Sequence, residues 1–232
     1  MVWVIGQQGA AGILPANTLK GFRHALSLGV DAVTCDVRLS ADGVPVLVQD
    51  EQVERASDGP VGVSELTVSA LRRLDVGDGQ GVPALDELLE LVAAGEAKAA
   101  CVLHERAAAL PAADLIRARG LHERVALISD DLVALARIRR HDARLSIGAL
   151  LSAPTPGRLR RAEALGARAI LASCEVVSLR LVAQIHRTSM ALVAWGVSTL
   201  DEQEAMLCLG VDGIATARPD ILLTYLRFRG ER

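Results

Sequence analysis

Short apolar runs alternate with stretches of helical period from one end of the chain to the other. A continuous run of four to seven apolar residues suits a strand buried on both faces. Apolar positions three and four residues apart suit a helix with one buried face. Residues 2–5 predict a strand. Residues 17–28 predict a helix, with Leu19, Phe22 and Leu26 on one face, Asn17 as its N-cap and Gly29 as its stop. Two apolar runs then flank Ser40-Ala41-Asp42-Gly43. Asp-Gly between such runs is a strong hairpin signal, so residues 32–50 predict a hairpin that brings Asp36 opposite Gln49. Residues 54–64 are polar and predict a surface loop, and 68–74 a short helix. Pro83 predicts the start of a helix with Leu85, Leu88, Leu89 and Val92 inward and Gly95 at its end.

Beyond that point the alternation is regular. Strands are predicted at 99–103, 125–128, 145–151, 169–171, 191–197 and 213–216. Helices follow them at 111–119, around Leu132, Leu135 and Ile138 with Asp130 or Asp131 as cap, and at 156–165, 179–187, 201–209 and 219–226. Strands separated by helices pair in parallel through right-handed crossovers. Counting both hairpin arms there are nine strand candidates, and a closed parallel barrel uses eight in about 250 residues. The fold expected is therefore α/β, a (β/α)8 TIM barrel with one hairpin, forming a single domain over residues 1–232. An open doubly wound sheet is the alternative, disfavoured because no Gly-x-Gly-x-x-Gly follows the first strand.

Composition narrows the function classes. Hydrophobic residues make up 51% of the 232 and aromatics 2%, so the core must be aliphatic. The net charge of −3 without a long basic run argues against nucleic acid. The first six residues lack a basic start, and no apolar run reaches the roughly 20 residues a membrane helix needs. Cys35, Cys101, Cys174 and Cys208 show no Cys-x-x-Cys spacing, so the expectation is reduced thiols in a cytoplasmic protein.

A set of landmarks in fixed order carries more. Gly9, Pro15-x-Asn17-Thr18, Asp36, Asp42-Gly43-Val44-Pro45-Val46 and Asp50 frame the first fifty residues. Glu65-Leu66-Thr67, Val82-Pro83-x-Leu85, Val193-Ala194-Trp195 and Gly210-Val211-Asp212-Gly213-Ile214 follow. With these landmarks the chain resembles the glycerophosphodiester phosphodiesterase family over nearly its whole length. That family begins with His-Arg-Gly, then Pro-Glu-Asn-Thr, a Glu-x-Asp strand, an Asp-Gly turn and a strand ending in His-Asp. The resemblance implies a barrel enzyme that cleaves glycerophosphodiesters to glycerol 3-phosphate and an alcohol.

At the chemical positions the resemblance breaks. The two histidines that would act as general acid and base are Gln7 and Gln49, and the phosphate-holding arginine is Gln8. The Glu of Pro-Glu-Asn-Thr is Ala16. Of the implied divalent-cation ligands, Glu is Thr34 and only Asp36 remains; the further Glu aligns with Val102, with His104 and Glu105 nearby. Glutamine cannot relay a proton near neutral pH. An acid or a base each contributes about 10²–10⁴-fold to rate. One carboxylate with a hydroxyl and waters holds calcium or magnesium weakly. The expectation is a phosphodiesterase-like barrel that has lost hydrolysis and binds a small phosphorylated or polar ligand, or a protein partner or second copy. Gln8, Asn17 and Trp195 are its candidate ligand contacts, and no cofactor is expected. The alternative is an active metal-dependent phosphoric diester hydrolase using calcium or magnesium. A third reading builds a new acid–base set from Asp36, Asp50, His104 and Glu105. His24, His122, His141 and His186 are expected to be solvated. The apolar tail from Ile221 to Phe228 is expected to close the last helix against the barrel.

Overall fold

A computed structural model describes residues 2–55 and 59–232. The first half contains β1 (Trp3–Gly6), α1 (Leu19–Leu28), β2 (Ala32–Leu39), β3 (Pro45–Leu47), β4 (Gln52–Arg55), β5 (Gly59–Gly62), α2 (Val68–Leu71) and α3 (Leu85–Ala94). Then come β6 (Lys98–Leu103), α4 (Ala109–Ala118), β7 (Val125–Ser129), α5 (Leu132–His141), β8 (Ser146–Leu150) and α6 (Pro156–Ala164). The chain finishes with β9 (Ala169–Ser173), α7 (Leu179–Ile185), β10 (Ala191–Val197), α8 (Leu200–Leu209), β11 (Gly213–Thr216) and α9 (Pro219–Phe228).

The main sheet runs β1-β11-β10-β9-β8-β7-β6-β2-β3, and β1 also pairs with β2. Ile5 sits beside Ala215 on one side and Ala32 on the other, which closes a barrel of eight parallel strands. β3 is the extra arm, antiparallel to β2. Helices cover the outside, and the large aliphatic core lies between them and the strands, with Phe22, Leu88, Leu89, Ile116, Leu135 and Ile138 fully buried. A smaller set faces the lumen: Ile5, Ala32, Ile128, Leu171, Val193 and Ala215. Cys35 and Cys101 are buried free thiols at paired positions of β2 and β6.

Four expectations change. The hairpin turns at Gly43 (φ +74°), but its register pairs Val37 with Leu47, so Val48 rather than Gln49 follows opposite Asp36. The ladder ends at Leu47, and Gln49 is reached only after the chain leaves the sheet. Asn17 is not the N-cap of α1: Thr18 Oγ1 accepts from Gly21 N at 3.1 Å, and Asn17 turns inward. Residues 54–64 are no simple loop, because β4 and β5 form a second hairpin with Gln52 paired to Gly62; positions 56–58 lie outside the described residues. Val53 and Val63 bury beside Val46, Leu71 and Val82 in a small separate cluster, a signal of two apolar residues too sparse for period-two patterning. The helix predicted from Pro83 starts at Leu85, because the Pro83 carbonyl accepts from Leu47 N at 2.9 Å and holds that segment to the hairpin. Of the histidines expected to be solvated, His141 and His186 are exposed as expected and His24 and His122 are half-buried; His122, His141 and His186 lie against Asp142, Asp114 and Asp212.

Candidate functional site

In a parallel barrel the functional end is the one where the strands finish. The turn leaving β1 is tight: a Cβ on Gly6 would lie 2.2 Å from the Gly9 carbonyl oxygen, so only glycine fits there. Gln8 (φ +51°) and Asn17 (φ +57°) adopt left-handed backbone that non-glycine residues rarely take. Both conformations aim an amide side chain at one target on β2. Thr34, Asp36 and Arg38 alternate along that strand and share its inner face.

That target is the buried carboxylate of Asp36. Its Oδ2 accepts from Gln8 Nε2 at 2.7 Å and from Asn17 Nδ2 at 2.9 Å. Its Oδ1 meets His104 Nε2 at 2.7 Å. Asn17 Oδ1 in turn accepts from Asp36 N at 3.0 Å, which fixes the Asn17 amide with its NH2 toward the carboxylate. Burial pushes the Asp36 carboxyl up, and the bonds from His104, Asn17 and Gln8 together outweigh it, holding its pKa below the usual carboxylate value. An ionised carboxylate only accepts, so His104 Nε2 carries the proton in this contact. The His104 ring is partly exposed at the mouth.

The surrounding residues extend the network. Gln8 Nε2 also donates to Gln49 Oε1 at 2.8 Å, and Gln8 N donates to Thr34 Oγ1 at 2.9 Å. Gln7 Oε1 accepts from Gly196 N at 3.2 Å, where β10 bulges between Trp195 and Val197. The Trp195 indole packs among the lumen residues, and its Nε1 is buried with no acceptor among the described residues. Arg38 Nε donates to the Gln49 carbonyl at 2.9 Å, which places a guanidinium at the rim. Opposite Asp36 on β6 stands Val102. A cleft of about 480 Å³ beside the network is lined by Asn17, Val48, Gln49, Asp50 and Asp75 among others.

The structure therefore brings Gln8, Asn17, Thr34, Asp36 and Gln49 together and joins His104 to them. Gln7 and Trp195 stand beside one another around Gly196, a step away. Asp50 is exposed, and Glu105 instead accepts from Leu39 N, so neither joins the Asp36–His104 pair. Arg38 was not picked out from the sequence; the signal was the two-residue period that puts it on the face of Asp36.

The donor set answers whether a divalent cation fits. Calcium and magnesium want several oxygen ligands, most of them charged. Here the carboxylate is ringed by two amide NH2 groups and an imidazole N–H, so a cation approaching Asp36 would meet donors instead of lone pairs. Thr34 Oγ1 is engaged by a backbone amide, and Val102 supplies no oxygen from its side chain. These residues do not fit the ion.

The family model for glycerophosphoryl diester phosphodiesterases matches residues 8–221. A glycerophosphodiester phosphodiesterase of Caldanaerobacter subterraneus subsp. tengcongensis is 26% identical, with 98% of each chain covered. A probable glycerophosphodiester phosphodiesterase 1 of Mycobacterium tuberculosis is 29% identical over 94% of this chain and 89% of its own. Among solved structures, a putative glycerophosphoryl diester phosphodiesterase from Silicibacter pomeroyi superposes with a TM-score of 0.92 at 26% identity, over 99% of this chain and 94% of that one. An Oleispira antarctica phosphodiesterase, in complex with the product sn-glycerol-3-phosphate, shares the fold at a TM-score of 0.87 and 20% identity, over 97% of this chain and 96% of that one. The closed barrel, the order of its landmarks and the match over most of its length agree: the chain belongs to the glycerophosphoryl diester phosphodiesterase family.

Proposed function

We propose that this member of the family binds a small phosphorylated or polar ligand in its barrel mouth and does not hydrolyse it by a metal-assisted route. The observation that carries the reading is that protein donors from Gln8, Asn17 and His104 occupy three of the roughly four acceptor directions of Asp36. The acid–base positions implied by the resemblance hold Gln7 and Gln49, whose amides have no proton to exchange near neutral pH. Losing both members of such a pair removes about 10²–10⁸ in rate, because residues acting as a unit are not additive. Binding capacity survives on other groups. Arg38 offers charge at the rim, and the Trp195 indole N–H lacks an acceptor that a ligand oxygen would supply. Gln8 and Gln49 offer further polar contacts.

One observation favours a second reading. The Asp36–His104 contact is the arrangement in which a carboxylate orients an imidazole, leaving the other ring nitrogen to take a proton from water. Incubation of the pure protein with glycerophosphocholine, with calcium, magnesium or chelator, separates the readings through release of glycerol 3-phosphate. No product above buffer is expected in any arm, while isothermal titration with glycerol 3-phosphate shows binding that Arg38→Ala weakens. Turnover abolished by His104→Ala but indifferent to chelator would establish the second reading. Turnover abolished by chelator would overturn both.

A further inference from the structure

A cavity with a mostly apolar wall lies at the end of the barrel opposite the mouth. In a filled parallel barrel, three layers of branched side chains occupy the lumen. Here the lower turns of β2, β6, β7 and β9 present Ala32, Ala100, Ala126 and Ala169 to the inside. These short side chains leave the lower end of the lumen unfilled, bounded by Ile5, Ile128, Leu171 and Val193. The result is a cavity of about 300 Å³ that opens where the strands begin. An apolar cavity of about 150 Å³ stays dry and accepts benzene. Twice that volume, at the same packing, has room for roughly a dozen carbons. Ala100, Ala126 and Ala169 are only half-buried, which shows that the space communicates with solvent.

The opening is charged, and the charges do not cancel. Lys98, Arg124 and Arg168 stand on it with Glu123 and Asp212. The Asp212 carboxylate is already used by Leu192 N at 2.7 Å and His186 Nε2 at 3.0 Å. Glu123 reaches Arg168 only at 3.5 Å, with both side chains largely exposed. Lys98 has its amino group 4.8 Å from the centre of the Trp3 ring, and Arg124 is turned to the Ala97 carbonyl. Neither has a carboxylate partner among the described residues. Arg139 adds positive potential near Arg168; burial and then that neighbouring charge lower the pKa of its guanidinium.

We propose that this end of the lumen is a second ligand site, which takes a linear aliphatic chain of medium length with its anionic head at the Lys98–Arg124–Arg168 rim. An aliphatic wall recognises chain and nothing else, and burying each methylene contributes about 0.8 kcal/mol. The cationic rim selects the sign of the head group. The site does not depend on what the mouth binds; Thr34 alone belongs to both.

Titration calorimetry of the full chain with decanoate, decyl phosphate, decanol and decyltrimethylammonium, all below their micelle concentrations, tests the site. Decanoate is expected to saturate at one per chain, and decyltrimethylammonium to bind at least tenfold more weakly. Decyl phosphate tells a phosphate head from a carboxylate one; saturation by either anion supports the site. Ala126→Leu fills the cavity and is expected to weaken both anions at least tenfold. Arg168→Glu, at an exposed position, is expected to weaken the anions and leave decanol unchanged. Circular dichroism reports whether each variant folds, and if Ala126→Leu does not, Arg168→Glu decides alone. Failure of both anions to saturate, equal binding of the cationic amphiphile, or unchanged binding by the folded variants would overturn the proposal.

Discussion

Three protein donors hold the buried Asp36 carboxylate, and the cost of disturbing that arrangement is local and large. Removing one donor leaves a buried charge short of a hydrogen bond, which costs about 1–3 kcal/mol. Asn17→Ala is therefore expected to lower unfolding stability by at least that amount in urea titrations. It deletes the bonds to Asp36 Oδ2 and from Asp36 N, and places alanine at φ +57°. The same network carries a pH signature. Its hydrogen bonds hold the folded-state carboxyl of Asp36 below its ordinary value, so its stabilisation is complete above about pH 3.9, the unfolded value. The contribution is lost as pH falls through the folded pKa. The stability gap between wild type and Asp36→Asn should accordingly be larger at pH 6 than at pH 3. A gap that does not shrink would show that the carboxylate is not held as described.

At the scale of elements, the two hairpins differ in what supports them. β2 is a barrel strand, bonded to β1 and β6 as well as to β3, and its residues are buried from Ala32 to Val37. β4 and β5 form a separate two-stranded ribbon resting on the small cluster of Val46, Val53, Val63, Leu71 and Val82. An isolated two-stranded ribbon is marginal, and few buried contacts hold this one. Native-state hydrogen exchange is expected to show the amides of β4 and β5 opening well below the free energy at which β2 and β6 open. Equal protection would mean that the ribbon belongs to the barrel's cooperative unit. The sequence indicated the first hairpin through Asp42-Gly43 but missed the second. Its ladder residues are polar and glycine-rich, and only packing against Val46 and Leu71 makes it a hairpin.

For the whole molecule, α9 finishes the barrel by laying Leu222, Leu223 and Leu226 against it, in contact with β1 and α1. Phe228 is 89% exposed, a single large residue outside that face. Phe228→Ser is therefore expected to change stability by no more than about 0.5 kcal/mol and to leave the mass from light scattering unaltered. A drop in mass on substitution would instead place the tail in a contact between copies. The alternation of strand and helix, the nine strands of the main sheet, the first hairpin and most helix ends were legible in the chain, because local hydrophobic period and turn residues determine them. The substitutions at Gln7, Gln8, Thr34 and Gln49 were equally legible, since identity at a landmark needs no coordinates. Tertiary structure alone decided the rest. Gln8, Asn17, Asp36, Gln49 and His104 come from separate parts of the chain, and only barrel closure and two left-handed backbone turns bring their side chains into one network. The cavity at the lower end of the lumen also depends on closure, because short side chains on separate strands enclose a void only when the sheet curls into a barrel.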